Sequence, residues 1–220
     1  MSILVKICGI NSAEAADAAV RAGADLGGLV FHSKSPRHLS LDAGRALADR
    51  LRGKLRLVAL VANADDETIS AVLHAVNPAF LQLHGYEVPE RVGQIRARFG
   101  VPLIKAIAVA EAADFAAVAA YENAVDMLLF DAKAPDGAAR PGGHGAPFDW
   151  KLLRGRTFRR PWLLAGGLNP ANVARAVAAS QAPGVDVSSG VETAPGMKDI
   201  QMIADFVSAA RHARYAEARS

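Results

Sequence analysis

Apolar and polar positions alternate along this 220-residue chain in two recurring patterns. One is a short run rich in Val, Ile and Leu, of strand length. The other is a longer alanine-rich stretch of helical character. The first kind occurs at ILVKIC (3–8), DLGGLVF (25–31), LRLVALV (55–61), AFLQLH (79–84), VPLIKAI (101–107), VDMLLFD (125–131), WLLAGG (162–167) and GVDVSS (184–189), each predicted as a strand. Between them lie SAEAADAAVRAGA, LDAGRALADRL, DDETISAVLHAV, PERVGQIRARF, AEAADFAAVAAYE and PANVARAVAAS, and the chain closes on KDIQMIADFVSAARHARYAEA. Several of these begin near a Ser, Asp or Asn suited to an N-cap and end near Gly or Asn.

Strand signals alternating with helical ones from one end of the chain to the other predict an α/β fold, and eight strand-helix units suggest a (β/α)8 TIM barrel at the compact end of its size range. A doubly wound open sheet is the alternative, but the glycine fingerprint G-x-G-x-x-G is missing after the first strand. With 51% hydrophobic and 21% charged residues, the chain has enough apolar material for one substantial core and is short for two. A single domain over 1–220 is expected. The link after the sixth strand, DAKAPDGAARPGGHGAPFDW (131–150), is too long and too rich in Gly and Pro for an idle turn. Its 132–147 portion is expected either to close over a ligand or to be partly disordered.

One cysteine rules out a disulfide framework and a zinc site of several thiolates. No signal peptide is recognisable at the start, and no run of about eighteen apolar residues could cross a bilayer. A soluble, cytoplasmic protein with no membrane partner is expected. The formal charge is only +3, although the isoelectric point is about 9.2. Much of the excess lies in RGRTFRR (154–160), which reads as solvated surface rather than a nucleic-acid site, and the balance weakly favours small anionic ligands. The sequence is compatible with a monomer or a homodimer.

In a barrel the chemistry belongs at the C-terminal ends of the strands. Cys8 ends the first strand, sharing a face with Leu4 and Lys6 while Ile3, Val5 and Ile7 face the other way. A neighbouring Lys6 cation is expected to lower the thiol pKa and favour a basic thiolate, against the alternative of a small buried hydrophobe. Asp131 ends the sixth strand, where desolvation would favour the protonated acid; an N-cap or loop-ordering role is equally compatible with the position. Thiol and carboxylate would then lie nearly opposite each other across the mouth. That placement suits proton shuttling.

Two turns resemble phosphate cradles: Gly166-Gly167 after the seventh strand and Ser188-Ser189-Gly190 after the eighth, each leading toward a helix N-terminus. Arg37, in HSKSPRHLS, has the fork to bind a carboxylate or phosphate bidentately, or it is a solvated loop residue. Gln82 and His84 share a face of the fourth strand and either line the mouth or belong to the core. None of the six histidines has metal-motif spacing, so no metal is predicted.

Taken in order, KICGI, GLVFHSKSPRHLS, LQLHGYE, LLFDAK, PGGHGAPFDW, LLAGGLNPANV and GVDVSSGVETAPGMKD, spanning residues 6–199, resemble the phosphoribosylanthranilate isomerases of tryptophan biosynthesis. The resemblance implies an Amadori rearrangement of N-(5-phosphoribosyl)anthranilate to 1-(2-carboxyphenylamino)-1-deoxyribulose 5-phosphate, with Cys8 as general base and Asp131 as general acid. It also implies that Arg37 holds the anthranilate carboxylate and the two turns hold the phosphate. The substrate nitrogen acts as electron sink, so no cofactor is expected. One departure is His144 in GGHG, where the family usually has Thr or Ser; it is expected to be a bystander. The related isomerase of histidine biosynthesis is the nearest rival, but it resembles a barrel with aspartate in the place of Cys8. A silent phosphosugar-binding barrel is the rival from another class, and retention of both Cys8 and Asp131 argues against it.

Overall fold

The computed structural model describes residues 2–133 and 148–213. Eight parallel strands, β1 (Leu4–Cys8), β2 (Leu26–Val30), β3 (Arg56–Val61), β4 (Phe80–Leu83), β5 (Leu103–Val109), β6 (Met127–Ala132), β7 (Trp162–Leu164) and β8 (Gly184–Val187), follow one another in chain order. They close into a barrel, with β8 pairing back to β1. Each lies within about two residues of its predicted run, except β7, which stops at Leu164 where the left-handed turn at Gly166-Gly167 begins.

The helices are α1 (Ala13–Ala22), α2 (Leu41–Leu51), α3 (Asp66–Val76), α4 (Pro89–Phe99), α5 (Val118–Glu122), α6 (Val173–Ser180) and α7 (Ile200–His212). Their ends follow the expected chemistry. Ser12, Ser40 and Asp65 cap α1, α2 and α3 by accepting the amides of Ala15, Ala43 and Thr68, while left-handed Gly23, Asn77 and Gly100 close α1, α3 and α4.

Two regions depart from regular strand-helix alternation. The stretch expected as one helix from 110 to 122 divides into a 3₁₀ helix, Ala112–Ala117, followed by the five-residue α5. Strand β5 continues to Val109, and the Asp114 carboxylate then accepts the amides of Ala110 and Glu111, tightening the first turn. After β6 the described residues carry only a 3₁₀ turn, Trp150–Leu153. The outer face of β6 is sealed instead by aromatics: the Phe130 ring lies tilted against Phe158 and Phe115, with centroids 4.8 and 5.4 Å away, and Trp162 is edge-on at 5.6 Å.

Alternation along the strands divides the core in two. Ile3, Val5 and Ile7 join the large outer cluster between strands and helices. Leu26, Val58, Ile104, Met127, Leu129 and Leu163 fill the barrel interior, with Leu4 against them. Toward the C-terminal ends of the strands this filling gives way to Cys8, Val30 and Leu60. The lower barrel is thus plugged by apolar side chains, and among the described residues the interior polar groups lie at and just beneath the mouth. No described helix is long and apolar enough to cross a membrane.

Candidate active site

Cys8 is the last residue of β1 and is buried, on the interior face shared with Leu4 and Lys6 as the alternation requires. The next residue explains why the strand ends in glycine. Gly9 has φ of +75°, and a Cβ there would fall 2.4 Å from Cδ of Arg37 and 3.2 Å from Oγ of Ser188. The arginine stem from the β2 loop therefore crosses directly over the residue after the thiol, next to the β8 turn. Three predicted site positions meet at one glycine.

The expected effect of Lys6 on the thiol requires correction. Lys6 is fully buried, and its ammonium lies 2.9 Å from Asp186 on β8, a partner the sequence reading did not assign. Burial pushes the Cys8 thiol above its ordinary value; Lys6 and Lys198 pull it down, Asp186 pushes it up, and the balance stays upward. Burial would lower Lys6, but Asp186, joined by Cys8 when that is ionised, outweighs it and holds the ammonium above its usual value. The resting site therefore favours the thiol. Asp186 was legible in principle, as a carboxylate within an apolar strand on the face that meets Lys6 in register.

Asp131, near the end of β6, is also buried. Its Oδ1 accepts the amide of Ala132 at 2.8 Å, and its Oδ2 lies 3.2 Å from Nε2 of His84. The other ring nitrogen of His84, Nδ1, is 2.9 Å from Nε2 of Gln82. An amide nitrogen can only donate, so Nδ1 accepts and the ring donates to Asp131 through Nε2–H. Gln82 and His84 thus act together, orienting the carboxylate. The loop carrying His84 is held from behind by Lys105 of β5, which donates to the carbonyls of Leu83 and Gly85 and pairs with Glu87 at 2.8 Å.

At the rim, the β7 and β8 turns touch. Gly166 and Gly167 both have positive φ, and Ser189–Val191 forms a single 3₁₀ turn after Ser188. A Cβ on Gly190 would sit 1.7 Å from the carbonyl oxygen of Leu168, so only glycine permits the two turns to pack. His144 and most of the 132–147 loop lie outside the described residues.

Arg37 is buried rather than a solvated loop residue. Its fork is bidentate on a carboxylate, as its chemistry allows, but the carboxylate is the protein's own: Nε and Nη2 each donate to Glu192 at 2.7 Å. Glu192 also accepts Lys198 at 2.6 Å. Neither was singled out from the sequence: Glu192 lies outside every expected strand and helix, and Lys198 stands only as the first residue of the closing helical stretch KDIQMIADFVSAARHARYAEA.

A thiol, a histidine-oriented carboxylate and two touching glycine-rich turns at the mouth of one barrel point to a class: the (β/α)8 enzymes. Comparison with known proteins narrows it. The family model for N-(5'-phosphoribosyl)anthranilate isomerase matches residues 5–209. An N-(5'-phosphoribosyl)anthranilate isomerase of Rhodopseudomonas palustris strain HaA2 is 51% identical over 211 residues, covering 96% of this chain and 97% of the relative. The crystal structure of phosphoribosyl anthranilate isomerase from Thermotoga maritima superposes with a TM-score of 0.83 at 37% identity, covering 94% of this chain and 98% of that one. A phosphoribosyl anthranilate isomerase in complex with reduced 1-(o-carboxyphenylamino)-1-deoxyribulose 5-phosphate superposes at 0.80 with 35% identity, over 94% and 98% of the two chains. This chain belongs to the N-(5'-phosphoribosyl)anthranilate isomerase family, isomerases of tryptophan biosynthesis.

Proposed function

We propose that Cys8 and Asp131 divide between them the two proton transfers by which N-(5-phosphoribosyl)anthranilate becomes 1-(2-carboxyphenylamino)-1-deoxyribulose 5-phosphate. Asp131, as the acid, gives its proton to the ribose ring oxygen while the bond from C1 to that oxygen breaks. The anthranilate nitrogen supplies the electron pair, leaving an open-chain iminium. Cys8, as thiolate, then removes the proton from C2; those electrons neutralise the iminium to an enolamine, which tautomerises to the ketone. In the resting site burial favours the thiol, so Cys8 reacts from the fraction that has released its proton to solvent, and the cationic iminium stabilises that thiolate.

The observation that carries this reading is the placement of Cys8 and Asp131 at the ends of β1 and β6, on the interior face of one closed barrel. In this reading the turns at Gly166-Gly167 and Ser188-Ser189-Gly190 bind the phosphate. Gln82 and His84 orient the acid. Arg37 offers Nη1, the nitrogen outside its pair with Glu192, to the anthranilate carboxylate. The substrate is a small phosphoribosyl compound, the whole chain is one domain, and the cytoplasm is the proposed compartment.

Loss of phosphoribosylanthranilate fluorescence tests substrate and reaction together. Cys8→Ala and Asp131→Asn should each lower turnover by about 10² to 10⁴, the usual contribution of a general base or acid, with circular dichroism unchanged. A folded Cys8→Ala protein with near-normal turnover would remove the thiol from the mechanism. Wild-type turnover and an unaltered pH profile in Asp131→Asn would do the same for the carboxylate.

A further inference from the structure

Beyond β8 the chain forms a small antiparallel hairpin, β9 (Glu192–Ala194) and β10 (Met197–Lys198), separate from the barrel sheet. It reaches sideways over the mouth. Asn11, after β1, donates its side-chain amide to the carbonyl of Gly196 at 2.8 Å. Gly196, with φ of +82°, lies so close to the β2 loop that a Cβ there would be 2.5 Å from the carbonyl oxygen of Pro36, the residue before Arg37. The hairpin thus ties the loops after β8, β1 and β2 together.

The two side chains at its base are both buried, and both are charged. Glu192 accepts Nε and Nη2 of Arg37 at 2.7 Å each, Nζ of Lys198 at 2.6 Å and the amide of Gly196 at 3.1 Å. Lys198 turns its remaining donors on the β8 turn, giving one to the carbonyl of Ser188 at 2.9 Å. Two basic side chains share one carboxylate; burial, with Arg37, pushes Lys198 below its usual value although Glu192 pulls it up. A bidentate pair fixes the plane of a guanidinium as well as its position.

We propose that Glu192 and the hairpin carrying it are the positioning element for Arg37, holding the guanidinium so that its Nη1 edge faces the anthranilate carboxylate. Lys198 completes the device. By sharing Glu192, it leaves the arginine charge incompletely neutralised and available to a second carboxylate. An arginine stem held only by the β2 loop has to be ordered when substrate binds, whereas here the ordering is built in. The inference rests on the reading that Arg37 meets the carboxylate of the substrate, and it assigns to Glu192 an effect exerted entirely through Arg37.

Calorimetric titration separates the two ideas. The probes are reduced 1-(o-carboxyphenylamino)-1-deoxyribulose 5-phosphate, which carries both anionic ends, and ribose 5-phosphate, which lacks the benzoate. Arg37→Ala and Glu192→Gln should each raise Kd for the first probe, by about tenfold or more for Arg37→Ala. Arg37→Ala/Glu192→Gln should bind it no more weakly than Arg37→Ala alone, and Kd for ribose 5-phosphate should change less than about twofold throughout. In turnover, Glu192→Gln should raise KM for phosphoribosylanthranilate more than it lowers kcat. Should Glu192→Gln fail to fold, Gly196→Ala pushes the hairpin off Pro36 while leaving both charged partners intact, and the same pattern is expected of it. If Arg37→Ala itself leaves the first probe unaffected, the reading of Arg37 fails. If Arg37→Ala weakens that probe but folded Glu192→Gln and Gly196→Ala do not, or if the losses add in the double variant, the positioning role is overturned.

Discussion

At the scale of the residue, Cys8 is governed by what lies beneath it. The Lys6–Asp186 pair places a cation and an anion below the thiol, and their opposed effects leave burial to decide that the proton stays on sulfur. In the proposed role of Cys8 as base, a proton held above its ordinary value gives a limb of kcat/KM that rises with pH, displaced to the alkaline side of a free thiol. Asp186→Asn removes the anion that pushes the thiol up and leaves Lys6 facing it alone. That limb should move to lower pH, while stability falls by about 3 to 5 kcal/mol because a buried cation has lost its partner. A pH profile of kcat/KM that stays in place in the folded variant would show that Asp186 does not tune the base.

Among the elements, the departures from regular alternation matter more than the regular units. Where β6 is followed, in the described residues, by a 3₁₀ turn, the large area a helix would have covered falls to Phe115, Phe130, Phe158 and Trp162. Phe130→Ala should therefore cost about 3 to 5 kcal/mol, through lost burial and the cavity left behind. Asp65→Ala, which removes only the cap of α3, should cost about 1 kcal/mol. Urea midpoints with unchanged slopes give both numbers, and comparable losses would mean that the aromatic cluster is not the seal of that face. Phe130 also precedes Asp131, so its packing helps hold that carboxylate in register.

For the molecule as a whole, two buried ion pairs contribute to the response to acid. Burial alone would raise the carboxyls of Glu87 and Glu192, but Lys105 in one case and Arg37 with Lys198 in the other outweigh it and hold both below the ordinary range. The unfolded chain takes up these protons near pH 4.3, while the native protein resists until lower pH, so the unfolded state binds more protons in that window. Stability contributed by the two pairs is present above about pH 4.3 and is lost as pH falls through the native values. Chemical denaturation at a series of pH values should show stability falling below about pH 4.3, with a shallower slope in Glu87→Gln. An unchanged slope would dissociate Glu87 from the acid response.

Local chemistry wrote much of this protein into its sequence. Period-two alternation placed Lys6 and Cys8 on the inner face and Ile3, Val5 and Ile7 on the outer one, because a strand has no other way to present its side chains. Eight apolar runs separated by capped helices specified the barrel, and residues at strand ends named the mouth, because closing parallel strands brings their ends together. What remained hidden depended on partners distant in the chain. Lys6 and Asp186 are 180 residues apart, and Arg37 and Glu192 are 155 apart. Both pairs form only when β8 closes against β1. Whether Lys6 acidifies its neighbour or neutralises an aspartate, and whether Arg37 is solvated or clamped, are decided by that closure. A charge in a low-dielectric interior acts on whatever lies within a few ångströms of it, and chain order does not fix those neighbours.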